Sequence, residues 1–287
     1  MTKRAPWFIS FLLLLFAGDR LAGHFLQKQV DQSQFRYSRL YGGAAAADIL
    51  LVGNSRGLNF YQPYMEEATG KKTFNLSYNG LPMDLAKVLV QDYLDHYPAP
   101  RKMVVDITNC DRVNDDLLAG FLTYSDRSNR LDTLIHNKLP KAWWAGQISR
   151  LFCFNNEIFQ RALYHRKQTD ENWLRDHVIS EKLATEAGNE PYNLEIHPYL
   201  IQQLKEAVAA AQAKGVRVEL VIGPYFPGFV VNNLDALKVA AEQATGLPVH
   251  DYRAALTDPT CFSDFRHLNV KGAKAFIDLM IREAVLP

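Results

Sequence analysis

Charge of one sign, cysteine and linker-like sequence are all scarce in this chain, and each scarcity excludes something. Its 287 residues carry 32 Lys+Arg against 31 Asp+Glu, a formal net charge of +1, so no basic field is available to hold DNA or RNA. Only three cysteines occur, Cys110, Cys153 and Cys261. They are too few for a disulfide framework and show no C-x-x-C spacing, which leaves zinc and thioredoxin-type chemistry without support; one disulfide plus one free thiol stays open. No G-x-G-x-x-G or G-x-x-x-x-G-K-[ST] run occurs, and the eight histidines show neither H-x-x-x-H nor H-E-x-x-H spacing. Nucleotide cofactors and metals are therefore not expected. Without a Pro/Gly/Ser-rich linker or an internal repeat, the bulk of the chain reads as one globular domain.

What is present is apolar: 48% of residues are hydrophobic and 11% aromatic, ample for a sizeable core. Lys3 and Arg4 precede an uncharged stretch, Ala5 to Gly18, after which Asp19 and Arg20 interrupt before LAGHFL. The stretch suits a signal-peptide core, but no small-x-small cleavage site follows it. Continued through His24 to Leu26 it reaches spanning length, which favours an uncleaved anchor over residues 1–27. A buried helix of a cytosolic protein is the competing reading, disfavoured because Leu12 to Leu15 leave no polar face. Basic residues ahead of the apolar run put the N-terminus in the cytoplasm and the remainder outside, as in a single-pass protein of the bacterial inner membrane with a periplasmic domain. Ionisable groups at membrane depth are costly unless paired, so Asp19 and Arg20 are candidate contacts for a membrane partner.

After a polar stalk over residues 28–47, strands and helices alternate. DILLVG (Asp48–Gly53), KTFNLS (Lys72–Ser77), KMVVDIT (Lys102–Thr108), VRVELVIGP (Val216–Pro224) and LPVHDY (Leu247–Tyr252) read as strands. Helices are expected over Arg56–Ala68, Met83–Tyr97, His197–Lys214, Asn233–Thr245 and Val270–Ala284. The alternation indicates an α/β domain over 48–287, a parallel sheet covered on both faces. Residues from about 111 to 191 break the pattern and are rich in aromatics, among them Trp143, Trp144 and Trp173. They form an insertion, read either as a lid or partner surface at the strand ends or as a helical subdomain with its own small core.

Ser55 follows a buried strand in VGNSRG, where a strand-to-helix turn presents a side chain at the carboxyl edge of the sheet. Such a serine is either a nucleophile or, with Asn54, a helix cap. FSDFRHLNVKGAKAF supplies what a serine nucleophile lacks. Asp264 lies three residues before His267 on one short loop ahead of a helix, so the carboxylate can orient the imidazole and the imidazole can serve as general base.

These blocks together resemble the SGNH/GDSL hydrolase family over most of residues 48–285. The resemblance implies a flavodoxin-like sheet and acyl-ester chemistry by a Ser55–His267–Asp264 triad. Gly53–Ser55 matches the first block, whose serine is the nucleophile and whose backbone N–H helps hold the oxyanion; Asn54 stands where Asp is usual. NLSYNGLP (Asn75–Pro82) is similar to the second block, with Gly80 as the glycine that lends its N–H. DITNCD (Asp106–Asp111) occupies the place of Gly-x-Asn-Asp, with Ile107 and Cys110 replacing Gly and Asp and Asn109 at the oxyanion asparagine.

With one membrane anchor, the resemblance implies an extracytoplasmic esterase or O-acyltransferase acting on acyl, in the first instance acetyl, esters of a cell-envelope polysaccharide, beside a membrane-bound O-acyltransferase. Two rivals are carried. One is a non-catalytic accessory protein docked on such an acyltransferase, and the other is a lysophospholipase or thioesterase preferring long acyl chains.

Overall fold

In the computed structural model, which describes residues 5–287, the chain divides into two compact units. The larger comprises Ala45–Asn114 and Asp170–Pro287. Its strands are β1 (Ile49–Val52), β2 (Thr73–Asn75), β3 (Lys102–Asp106), β4 (Tyr192–Asn193), β5 (Arg217–Ile222), β6 (Val231–Asn232) and β7 (Val249–Asp251). Five of them make a wholly parallel sheet in the order β2-β1-β3-β5-β7, while β4 and β6 pair as a separate two-residue ladder.

The central strands bury every residue of β1 and β3, as a sheet covered on both faces requires. The pleat sends Ile49, Leu51, Val104 and Val221 into one cluster with Phe276, Ile277 and Met280 of the helix Val270–Arg282. Helices Met83–His96 and Pro198–Ala213 pack together, the latter also against β5. Val52 pairs with Val105 and Asp106 with Val221, so the carboxyl ends of β1, β3 and β5 align. The chain leaves β1 toward β2 on one side and β3 toward β5 on the other. This reversal of direction opens a crevice between β1 and β3, where open α/β sheets hold their ligands.

The strands and the four later helices fall where the sequence pattern puts them, but the helix expected over Arg56–Ala68 does not. A short 3-10 turn, Arg56–Asn59, comes first, and the α-helix starts only at Gln62. Pro63 in its first turn suits a start there, and the Asn59 side chain is engaged instead in accepting the Leu268 N–H.

The smaller unit joins the N-terminal segment through Ala44 to Asp115–Thr169. It begins with the helix Ala5–Asp31, long and apolar enough to cross a membrane. Lys3 and Arg4, which set the expected orientation, lie outside the described residues. The helix exposes Trp7 to Phe16, then packs. Asp19 accepts hydrogen bonds from Ser149 Oγ (2.6 Å) and from the N–H groups of Arg150 (2.7 Å) and Leu151 (3.1 Å), while Arg20 donates to the Gln147 carbonyl at 2.7 Å. Both charges expected to seek a membrane partner are thus engaged within the chain.

The stalk expected over 28–47 is folded, because Val30, Phe35, Tyr37 and Leu40 are apolar and wholly buried. Of the expected insertion, Asp115–Thr169 is helical with a core including Phe121, Leu131, Ile135 and Ile158, whereas Asp170 onward belongs to the α/β unit. All three cysteines are free and buried, which removes the disulfide left open above.

Candidate active site

Ser55 follows β1 on a turn that two glycines make tight. A Cβ on Gly57 would stand 2.2 Å from Ser77 Oγ, and one on Gly53 would stand 2.9 Å from the Gly57 Cα. Only hydrogen fits at either place. Asn54 Oδ1 accepts the Arg56 N–H (2.9 Å), and Asn75 Nδ2 donates to the Gly57 carbonyl (2.9 Å), tying the end of β2 to the turn.

The other half of the site is a closed loop. Ser263 N–H donates to the His267 carbonyl at 2.9 Å and Asn269 N–H to the Cys261 carbonyl at 3.0 Å, after which Asn269 caps the last helix by accepting the Gly272 N–H. Within the loop, Asp264 Oδ1 accepts the N–H groups of Arg266 (2.8 Å) and His267 (2.9 Å), so its carboxylate is fixed before it meets the imidazole. His267 Nδ1 lies 2.9 and 2.8 Å from the two Asp264 oxygens, and Nε2 lies 2.8 Å from Ser55 Oγ. The three residues singled out in the sequence are therefore brought into one hydrogen-bonded row.

Burial pushes the Asp264 carboxyl up, but the hydrogen bond and charge of His267 and the two backbone N–H groups outweigh it and hold its pKa at about 2. An ionised Asp264 can only accept, so Nδ1 carries a proton, and a neutral imidazole held this way turns a bare Nε2 to the Ser55 hydroxyl. Since an unfolded Asp titrates near 3.9, Asp264 stabilises the fold fully above about pH 4, and this contribution is lost as pH falls through about 2. Asp264→Asn is accordingly expected to be less stable than the unmodified protein near neutrality, with the gap in melting temperature narrowing as pH drops below about 4. A gap independent of pH would contradict this.

Gly80 and Asn109 line the same cavity of about 260 Å³ as Ser55 and His267. Gly80 takes φ +68°, and a Cβ there would stand 2.7 Å from Asn114 Nδ2. Neither the Ser55 nor the Gly80 N–H meets an acceptor among the described residues. Asn109 sits on a 3-10 turn, Ile107–Cys110, that Asp106 caps by accepting the Thr108 N–H. It is 2% exposed, yet its Nδ2 has no hydrogen-bond partner among the described residues. A buried amide left unsatisfied costs about 1–3 kcal/mol, so such groups call for an explanation. A second cavity of about 130 Å³, lined by Asn59, Trp173, Arg175 and Asp264 among others, shares Ser55 and His267 with the first. Asn59 Nδ2 is likewise buried without a partner among the described residues.

The sequence reading missed Arg56. Its guanidinium, 5% exposed, stands 3.8 Å from Asp106 and stacks on Tyr225, 3.6 Å from the ring centroid. It donates to the carbonyls of Gly223 (2.5 Å), Pro224 (3.2 Å) and Arg266 (2.7 Å). One side chain thus joins the serine turn, the end of β5 and the histidine loop. Only its place next to Ser55 hinted at this, since nothing in a sequence tells a buried arginine from an exposed one. Arg56→Met is expected to cost about 3–5 kcal/mol, the penalty of leaving Asp106 a buried unpaired charge, read as a lower urea midpoint at unchanged m-value.

The chain matches no protein-family model and no curated protein. The functional reading therefore rests on this geometry.

Proposed function

We propose that the α/β unit is a serine acyl-esterase or O-acyltransferase of SGNH/GDSL type that works through an acyl-enzyme. The observation that carries the reading is the row Ser55–His267–Asp264 ending in a cavity toward which an unpartnered buried amide, Asn109, is also placed. A sheet whose five strands run second, first, third, fourth, fifth in chain order, with the row at its switch point, also supports a flavodoxin-like member of that family.

In this reading Ser55 Oγ attacks the ester carbonyl while its proton passes to His267 Nε2, and Asp264 stabilises the imidazolium. The N–H groups of Ser55 and Gly80 and the Asn109 amide stabilise the oxyanion. The C–O bond to the alcohol then breaks, and His267 returns the proton to the departing oxygen. Water or a sugar hydroxyl repeats the sequence in reverse on the acyl-serine, giving hydrolysis or transfer.

The acyl group is acetyl or similarly short. The larger cavity falls below the roughly 300–1,000 Å³ of common ligand pockets, and its aliphatic lining is Leu81 and Leu194, too little to take up a long chain. The N-terminal helix is an uncleaved anchor in a bacterial inner membrane, with the α/β unit on the periplasmic side acting on an envelope polysaccharide. Full-length protein in detergent is expected to release acetate from O-acetylated glycan and to lose activity steeply from acetyl to octanoyl p-nitrophenyl esters, measured as kcat/KM along the series. A rising profile would favour the lysophospholipase or thioesterase alternative. Unchanged wall acylation in cells carrying Ser55→Ala would favour the accessory role.

A further inference from the structure

Four arginines, Arg56, Arg112, Arg175 and Arg266, line the two cavities that meet at Ser55 and His267, against two carboxylates, Asp111 and Asp264. In a chain of net charge +1, this is a local excess of positive charge at the reacting centre. The pairing within it is uneven. Arg56 is buried and spent on carbonyls and Asp106. Asp264 is spent on His267. Asp111 Oδ2 accepts hydrogen bonds from the Tyr192 hydroxyl and from both Nε and Nη2 of Arg112 (3.2 and 3.0 Å), and its Oδ1 accepts the Glu195 N–H at 2.9 Å. Asp111 thus holds Tyr192 and Arg112 in place, and its charge is paired with that of Arg112.

The Arg112 and Arg266 guanidinium carbons lie 5.5 and 4.9 Å from the centroid of that one Tyr192 ring. Tyr192 is itself set by the β4–β6 ladder. Arg266 is exposed, and no carboxylate pairs with it among the described residues. Two planar cations steadied on one aromatic ring beside the nucleophile form a fork suited to an oxyanion, because guanidinium donors match the two oxygens of a carboxylate.

Building on the acyl-transfer reading, we infer that Arg266 and Arg112, set on Tyr192, form a subsite for a carboxylate carried by the acylated substrate itself, so that the physiological ester is borne by an acidic sugar of uronate type. A glycan recognised in this way is selected by charge as well as by its acyl group, and its encounter with the site weakens with salt.

The test compares a methyl uronoside bearing one O-acetyl group with the matching neutral methyl hexoside, following acetate release by full-length protein in detergent. Expected is a higher kcat/KM for the uronoside, with the ratio of the two falling about tenfold in Arg266→Gln, further in Arg266→Glu, and also with added salt. An acetylated hexose phosphate serves as a third substrate. If it alone shows the Arg266-dependent preference, the oxyanion fork stands and the carboxylate assignment is overturned. A ratio near one, or a ratio untouched by both Arg266 variants, would overturn the subsite. If the protein turns over none of these esters, the acyl-transfer reading fails separately. Binding of the uronoside to the Ser55→Ala protein then decides the subsite alone: Arg266-dependent, salt-sensitive affinity supports it, and no such dependence overturns it.

Discussion

If the proposed acyl transfer holds, replacing Ser55 by alanine is expected to lower kcat for acetyl esters by about 10⁴-fold or more, to the level that oxyanion donors and binding alone would sustain. The size of the effect follows from the geometry. Ser55 Oγ has one side-chain partner, His267 Nε2 at 2.8 Å, so the substitution deletes the attacking atom and disturbs little else. Its cost to stability is expected to be about 1 kcal/mol, the worth of one hydrogen bond. His267→Ala should be as damaging to turnover as Ser55→Ala, and the double variant no worse than either single one. Residues that act as one unit lose their joint effect once. Additive losses would mean that Ser55 and His267 act separately, and equal rates in all the proteins would remove the nucleophile altogether.

The second large effect concerns Asn109, and it is expected to fall on turnover and to spare folding. Nδ2 is buried without an acceptor among the described residues, so the folded state already bears the desolvation of that donor. An oxyanion formed at Ser55 would satisfy it, which makes the interaction specific to the transition state. Asn109→Ala should therefore cut kcat about 10²–10³-fold with KM little changed. It should leave the unfolding free energy within about 1 kcal/mol of the unmodified value, since no hydrogen bond of Nδ2 is lost. Steady-state kinetics beside urea denaturation checks both halves. A stability loss that matched the activity loss would make Asn109 a packing residue.

The α/β architecture was legible because its signals are local. ILLV, KMVVD and RVELVI are continuous apolar or strand-forming runs with turn residues behind them, and the helix before β5 stops where Gly215 takes φ +76°. Asp264 and His267 were legible as a pair because they stand three positions apart on one loop. Their meeting with Ser55, 212 positions away for His267, was expected from the resemblance of the blocks to a known family and from no local pattern.

What escaped the sequence depends on tertiary burial. The 3-10 turn after Ser55 is set by Gly57 against Ser77 and by Asn59 reaching Leu268. Arg56 gains its role only from carbonyls some 167 and 210 residues later. The Arg112–Tyr192–Arg266 grouping draws on two loops and the short strand β4 between them in the chain. Asp19 and Arg20 looked like charges awaiting a partner because their acceptors and donors lie near residue 150. The membership of Asp115–Thr169 in a unit with the N-terminal segment likewise depends on packing that no local pattern encodes.

The most direct test of the central claim is the intact mass of the full-length protein after brief exposure to p-nitrophenyl acetate, followed by peptide mapping and repeated with Ser55→Ala. The account predicts one added acetyl group, carried by the peptide containing Ser55, absent from Ser55→Ala and discharged faster when a sugar acceptor is added. No adduct under conditions in which ester is consumed, or an adduct that persists in Ser55→Ala, would contradict an acyl-enzyme at Ser55.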